Sequence, residues 1–207
     1  MIPYQPFIDD SVHLKALDRQ RFVVLRAPRT VSVAYSQIQR TLHERLRGLP
    51  VSYPARAHVT LCGFAAGTSL HAVQELVRSW ALAVPPLRIE ISRVSAFPSP
   101  FQIVIVEVRK APALFAALAG LRARADDERL TVSTVTPVER WTFHMSVAYC
   151  STLEATAWQE VMQLAETFQV PAVHEDVSVA EVVAFDEGRE YSGGMYALGT
   201  NTTKPDT

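Results

Sequence analysis

His58-Val59-Thr60-Leu61 and His144-Met145-Ser146-Val147 are two versions of one short phrase: histidine, apolar, hydroxyl, apolar. Successive side chains of an extended strand point to opposite faces. Read as a strand, each phrase presents its histidine and hydroxyl on one surface and buries the apolar pair behind. Two such strands side by side would bring two proton-transfer groups and two hydroxyl donors to one groove. One histidine then takes a proton, the other gives one, and the hydroxyls hold non-bridging oxygens in an in-line displacement at phosphorus. With six histidines in the chain, a bare His-x-Ser/Thr is expected roughly once by chance. Requiring apolar neighbours in both phrases reduces that expectation to about one per cent. The competing reading is two ordinary half-buried strands that each carry a histidine.

Working outward, the flanks of both phrases read alike. Phe22-Val23-Val24-Leu25 is a buried strand ended by Ala27-Pro28, and Val31, Tyr35, Ile38, Leu42 and Leu46 mark an amphipathic helix over 31–47 that Gly48 and Pro50 stop. The first motif strand spans about 56–64. Ser69 caps a helix running through Leu82, with Val73, Leu76, Val77 and Trp80 inward. Leu87 to Phe97 alternates as a strand, Pro98-Ser99-Pro100 turns, and Phe101 to Val108 returns as its hairpin partner. The order then restarts. Pro112 opens a helix carrying Leu114, Phe115, Leu118 and Leu121, and Asp126-Asp127-Glu128-Arg129 is a solvated loop. A strand over 140–149 holds the second phrase. Ser151 and Glu154 form a capping box for a helix bearing Trp158, Val161 and Phe168. Val177 to Phe185 is one strand, Asp186-Glu187-Gly188 a turn, and Met195 to Leu198 a last short strand.

Strand, helix, motif strand, helix, strand thus occurs twice. The closing strands end alike, in Val94-Ser95-Ala96-Phe97 and Val182-Val183-Ala184-Phe185. This duplication predicts an α+β, bilobal fold. Two antiparallel-rich sheets form a V-shaped cleft, helices lie outside, and the four motif side chains sit in the crease. Residues 1–20 read as a lead-in, 21–199 as one bilobal domain of two pseudo-symmetric lobes, and 200–207 as a frayed tail.

The chain has 207 residues, 48% of them apolar and 20% charged, with net charge −1; its mean hydropathy is +0.08 and its pI about 6.6. That is a globular composition without the basic excess that a grip on long nucleic acid requires. A small substrate or an RNA end fits better. Cys62 and Cys150 read as free buried thiols of a reducing compartment. No apolar run is long enough for a membrane span, and Met1 to Pro6 lacks a secretory pattern. The expectation is a cytoplasmic protein with no membrane partner, taken by default as a monomer. The sequon Asn201-Thr202-Thr203 carries no weight without secretion. His13, His43, His71 and His174 read as ordinary residues; Phe97 and Phe101 flank the turn between the lobes, with core packing the favoured reading and stacking of one of them on a base the alternative.

With both H-x-T/S-x motifs and the duplication in place, the chain resembles the two-histidine (2H) phosphoesterases over roughly 20–200. These are the superfamily of bacterial RNA 2′,5′-ligase-like proteins and cyclic nucleotide phosphodiesterases. The resemblance implies a metal-independent site with no cofactor, His58 and His144 as the acid–base pair, and Thr60 and Ser146 on the phosphate. It implies a nucleotide or RNA-end substrate: a 2′,3′-cyclic phosphate opened to a 2′-phosphate, or a 2′-5′ linkage. It further implies that the first histidine protonates the leaving oxygen and the second activates water. Some members line the pocket with a tyrosine five residues past the second histidine, here Tyr149. Simple alternation puts that residue on the far face, so the match needs a bulge or a strand end.

If both strands are regular there, alternation also places Arg56 and Arg140 on the histidine face, where they would meet a phosphate or a second nucleotide; the equal competing reading is exposed rim arginines with no role. Two other readings compete with this hydrolase. One is a non-catalytic RNA-end or nucleotide-binding regulatory module. The other is a metal hydrolase, for which the chain has no H-E-x-x-H, H-x-H or clustered His/Asp set.

Overall fold

The computed structural model describes residues 17–133, 136–186 and 189–199. Most of the lead-in over 1–20, including His13, and the whole tail over 200–207 lie outside them, as does part of the turn assigned to Asp186-Glu187-Gly188.

Two four-stranded antiparallel sheets carry the fold. The first contains β1 (Arg21–Arg26), β2 (His58–Phe64), β7 (Val179–Asp186) and β8 (Arg189–Ala197) in the order β2-β1-β7-β8. The second contains β3 (Leu87–Phe97), β4 (Ile103–Val108), β5 (His144–Tyr149) and β6 (His174–Val177) in the order β5-β4-β3-β6. Both motif strands are therefore edge strands, and β2 and β5 adjoin across the junction of the sheets. Among the described residues four long helices accompany the sheets: α1 (Arg29–Arg45), α2 (Leu70–Ala83), α3 (Pro112–Asp127) and α4 (Ala155–Glu166).

Local sequence explains most of these elements. Helix α1 buries Val31, Ala34, Tyr35, Ile38 and Leu42 at helical spacing, and Gly48 beyond it has φ +89°, a conformation that a Cβ disfavours. Ser69 caps α2 by accepting from Ala72 N at 3.4 Å. Pro112 opens α3 at its first turn. The apolar faces of sheets and helices meet in one continuous core around Trp80, Phe64, Phe143, Leu25 and Leu118. A separate small cluster of Val24, Val183 and Phe185 lies on the other face of the first sheet, with Phe22 and Tyr149 against it.

The duplication is real in order but not in sheet membership. The third strand of the first half, β3, pairs with β4 of the second; β7 of the second half pairs with β1 of the first. Each half thus supplies a strand to the other's sheet. For the same reason the run Val177 to Phe185 is two strands rather than one. Val177 pairs with Leu87 in the second sheet and Ala180 with Leu25 in the first, with the chain crossing at Ser178. Local periodicity carries no mark of such a crossing, because both segments are apolar and extended.

Other boundaries also shift. Both motif strands begin at their histidines, so Arg56 lies in a bend and Arg140 ends a 3₁₀ turn over Val138–Arg140. Regular alternation therefore does not reach either arginine. Ser151 caps nothing: α4 starts at Ala155 with Glu154 in the N-cap position and no side-chain cap. The chain first turns to bury Leu153, whose N–H donates to Cys150 O at 3.0 Å. Asp126 and Asp127 are exposed or nearly so, but belong to the last turn of α3 rather than to a loop. The final strand is longer than Met195 to Leu198, starting at Arg189. Among the described residues no helix is long and apolar enough to cross a membrane. Cys62 and Cys150 are both free and buried.

Candidate active site

Each motif strand is bulged three residues past its histidine. In β2, Thr60 pairs with Val24 and Cys62 with Val23, leaving Leu61 extra. In β5, Ser146 pairs with Ile105 and Ala148 with Val104, leaving Val147 extra. An extra residue reverses the alternation beyond it. Tyr149, opposite Ile103, therefore shares a face with Ser146, opposite Ile105, and the two side chains are hydrogen-bonded. Gly63 holds the corresponding place in the first motif. A Cβ there would stand 2.5 Å from Ser133 Oγ and 2.9 Å from the Phe22 ring.

Bulged edges leave carbonyls without ladder partners, and such groups need other donors. The segment leading into each motif supplies them to the opposite motif. Ser52 pairs with Tyr149, while Ser133 N donates to Gly63 O at 2.8 Å and Val132 bridges Phe64. Trp141 Nε1 donates to Thr60 O at 3.3 Å. From α1, Tyr35 OH donates to Ser146 O at 2.7 Å and Gln39 Nε2 to Val147 O at 3.2 Å. The two lead-ins thus lock the motif strands at a fixed distance across the crease.

His58 and His144 are both half-buried, as are Thr60 and Ser146 between their buried apolar neighbours. The ring of His144 donates from Nδ1 to the carbonyl of Thr142 at 2.8 Å; a carbonyl can only accept, so Nε2 is the nitrogen left for chemistry. His58 is likewise hydrogen-bonded to the backbone two residues ahead, at Arg56. The two rings are near enough that charge on His144 disfavours charge on His58. The Thr60 hydroxyl engages no other described residue.

Their surroundings carry opposite charge. Arg26 pairs with His58 across β1–β2, its Nη1 3.4 Å from Nδ1. Two well-buried carboxylates hold that guanidinium, Glu181 at 2.5 Å from Nε and Glu190 at Nη2. Glu107 pairs with His144 across β4–β5 and is bound by Arg93 at 2.9 Å and Ser95 at 2.6 Å. Burial, then the Arg26 cation, push His58 down to about 3. Burial also lowers His144, but the Thr142 carbonyl and the Glu107 carboxylate oppose it. Burial raises the Tyr149 phenol.

A groove of about 520 Å³ opens beside His144, walled by Phe97, Phe101, Trp141 and Arg140. The Phe97 ring meets that of His144 edge to face at 4.7 Å, and Phe101 is 56% exposed. Neither belongs to the core, contrary to what their apolarity suggests, because the hairpin turn carries them to the crease. Arg56 lines a second, polar pocket on the His58 side. The two arginines therefore flank the crease rather than sharing one strand face. Arg26, Glu107, Glu181 and Glu190 escape a motif reading. Glu181, a lone carboxylate in the run Val179 to Phe185, is the one that leaves a trace in the sequence. Among the described residues no group of three or more His, Cys, Asp or Glu side chains is placed to hold a metal.

The family model of the 2′-5′ RNA ligase superfamily matches residues 22–187. Among solved structures, TT0787 of Thermus thermophilus is 17% identical with TM-score 0.66, over 88% of this chain and 99% of that one. Escherichia coli LigT complexed with 3′-AMP is 16% identical with TM-score 0.64, over 87% and 98%. Usb1 of Kluyveromyces marxianus is 10% identical with TM-score 0.51, over 84% and 97%. These likenesses show the fold. Among curated proteins none matches the chain.

Proposed function

Since the chain belongs to the 2′-5′ RNA ligase superfamily, of the two-histidine phosphoesterases, we propose that it is a phosphodiesterase that opens 2′,3′-cyclic phosphates or cleaves 2′-5′ linkages at nucleotide or RNA ends. It does so by proton transfer between His58 and His144, with no metal or cofactor. The observation that carries this reading is the paired set of histidines. Each is braced by the backbone two residues ahead, each has a hydroxyl two residues on, and they stand beside charges of opposite sign.

With a cyclic phosphate, His58 takes a proton from water as the water oxygen bonds to phosphorus. The bond from phosphorus to O3′ breaks, and His144 delivers its proton to O3′, leaving a 2′-phosphate. Charge placement supports this order, the reverse of the one the resemblance implies. A base is favoured beside the Arg26 cation and an acid beside the Glu107 carboxylate. The Thr60 and Ser146 hydroxyls donate to the non-bridging oxygens, where charge grows. Tyr149 supports Ser146 through the hydrogen bond between their side chains. The aromatic groove with Phe97, Phe101 and Arg140 accepts the base and its sugar. LigT, which shares the fold, has been crystallised with 3′-AMP and with NADP+, which agrees with a nucleotide substrate. The two buried free thiols agree with a cytoplasmic setting.

Phosphorus NMR with EDTA present, on a panel of 2′,3′-cyclic nucleotides and a 2′-5′ dinucleotide, tests this. The expected result is one phosphate regioisomer, with His58→Ala and His144→Ala each slower by roughly a thousandfold. Tight binding of every substrate with no product would instead favour a non-catalytic nucleotide-binding module.

A further inference from the structure

The crease has a polar side beyond His58, of which the reaction above uses only Arg26. A pocket of about 320 Å³ lies between α1 and the bend before β2, lined by Arg26, Ser32, Ser36, Gln39 and Arg56. It continues into a second one, of about 450 Å³, that shares Ser36 and Gln39 and adds Arg40, His43 and Tyr53. Ser32, Ser36, Gln39, Arg40 and His43 follow one another along one face of α1, at the spacing that stacks side chains in a row. The trough shares no lining residue with the aromatic groove beside His144.

Its lining carries three guanidinium groups and no carboxylate. Arg26 is held by Glu181 and Glu190. The side chains of Arg40 and Arg56 are exposed and make no close ion pair or hydrogen bond among the described residues, although Arg56 is near enough to Glu181 to favour its charged form. Guanidinium groups in this state suit phosphate oxygens, which they bind in pairs. At the far end the rings of His43 and Tyr53 lie 5.2 Å apart at 63°, an aromatic surface of the kind on which a base stacks. A row of cations ending in an aromatic pair is the pattern of a path for single-stranded nucleic acid. It also answers the chain's net charge of −1: the positive charge is local, not global.

We propose that this trough binds the one or two nucleotides adjoining the reacting phosphate. A cyclic phosphate carried on an oligonucleotide then gains contacts here that a mononucleotide lacks. Arg56 takes the nearest phosphate, and Arg40 with the His43–Tyr53 pair takes the next nucleotide. The inference rests on the crease being the reaction site.

The test compares adenosine 2′,3′-cyclic phosphate with the di- and trinucleotides ApA and ApApA ending in the same cyclic phosphate. The expected result is a kcat/KM that rises at least tenfold from mono- to trinucleotide and a gain that shrinks as salt is raised. Arg56→Gln and Arg40→Gln should each cut that gain at least threefold. Ser36→Glu, which puts a carboxylate midway, should abolish it. Equal kcat/KM at all three lengths, or a length effect that all three variants leave intact, overturns the trough. Should none of the three be turned over, the phosphodiesterase reading fails separately. Fluorescence anisotropy of 5′-labelled forms then decides the trough. Affinity rising with length and weakened by the variants supports it, and length-independent affinity overturns it.

Discussion

Arg26 is the residue that makes two similar histidines different. It stands at the end of β1, opposite His58, and is fixed by two carboxylates from β7 and β8. Burial lowers His58 most, and replacing Arg26 with Gln removes the second cause, its cation, so His58 should titrate above its present value of about 3, as read by NMR of the ring. The acidic limb of the pH–kcat/KM profile should move to higher pH with it, because the base is then protonated sooner. In the proposed mechanism the acid is His144, itself lowered from 6.5. The basic limb of kcat/KM should therefore fall below pH 6.5, measured on a cyclic nucleotide. Arg26→Gln also strands Glu181 and Glu190, at a cost of about 3 kcal/mol in urea unfolding.

At the scale of the element, the bulges decide what each motif strand can present. Without the extra Val147, Tyr149 would turn to the core and Ser146 would lose its partner. Without the extra Leu61, Gly63 would leave the Phe22 face, where the 131–133 segment approaches most closely. Gly63→Ala puts a methyl within 3 Å of both Ser133 Oγ and Phe22. Overpacking of this kind costs about 1–3 kcal/mol. Chemical denaturation should show that loss, and hydrogen exchange should show Ser133 N–H released from Gly63 O. Unchanged stability together with unchanged exchange would show that the loop yields freely and does not brace β2.

At the scale of the whole molecule, burying two neutral histidines links folding to pH. Both are lowered from 6.5 in the folded protein, His58 to about 3. An unfolded chain therefore binds protons that the folded one refuses as pH falls below about 6.5. Stability is full above that value and lost progressively down to about pH 3. Glu107 and Glu181, lowered by their arginine partners against the cost of burial, add a further loss below their ordinary value of 4.5. The urea midpoint should be level between pH 7 and 8 and fall below 6.5. In His58→Gln the fall between 6.5 and 5 should be shallower; an identical fall would mean that other groups drive acid unfolding.

The two histidine phrases, their hydroxyls and the duplicated order of elements are legible because alternation and helical spacing are properties of neighbouring residues. So are the cap at Ser69 and the helix start at Pro112. The capping box at Ser151 fails because burial of Leu153 outweighs a local signal. The division of Val177 to Phe185 between two sheets is invisible because strand propensity does not say which edge a strand joins. The same limit explains why Tyr149 needed the bulge, why Phe97 and Phe101 look like core residues, and why Arg26 and Glu107 bear no motif. The sequence by itself determined the two histidine–hydroxyl phrases to which proton transfer and phosphate binding are assigned in the proposed mechanism. Only the tertiary structure decided their faces, their neighbours and the charge beside each histidine, because cross-strand register, sheet exchange and bulges join residues far apart in the chain.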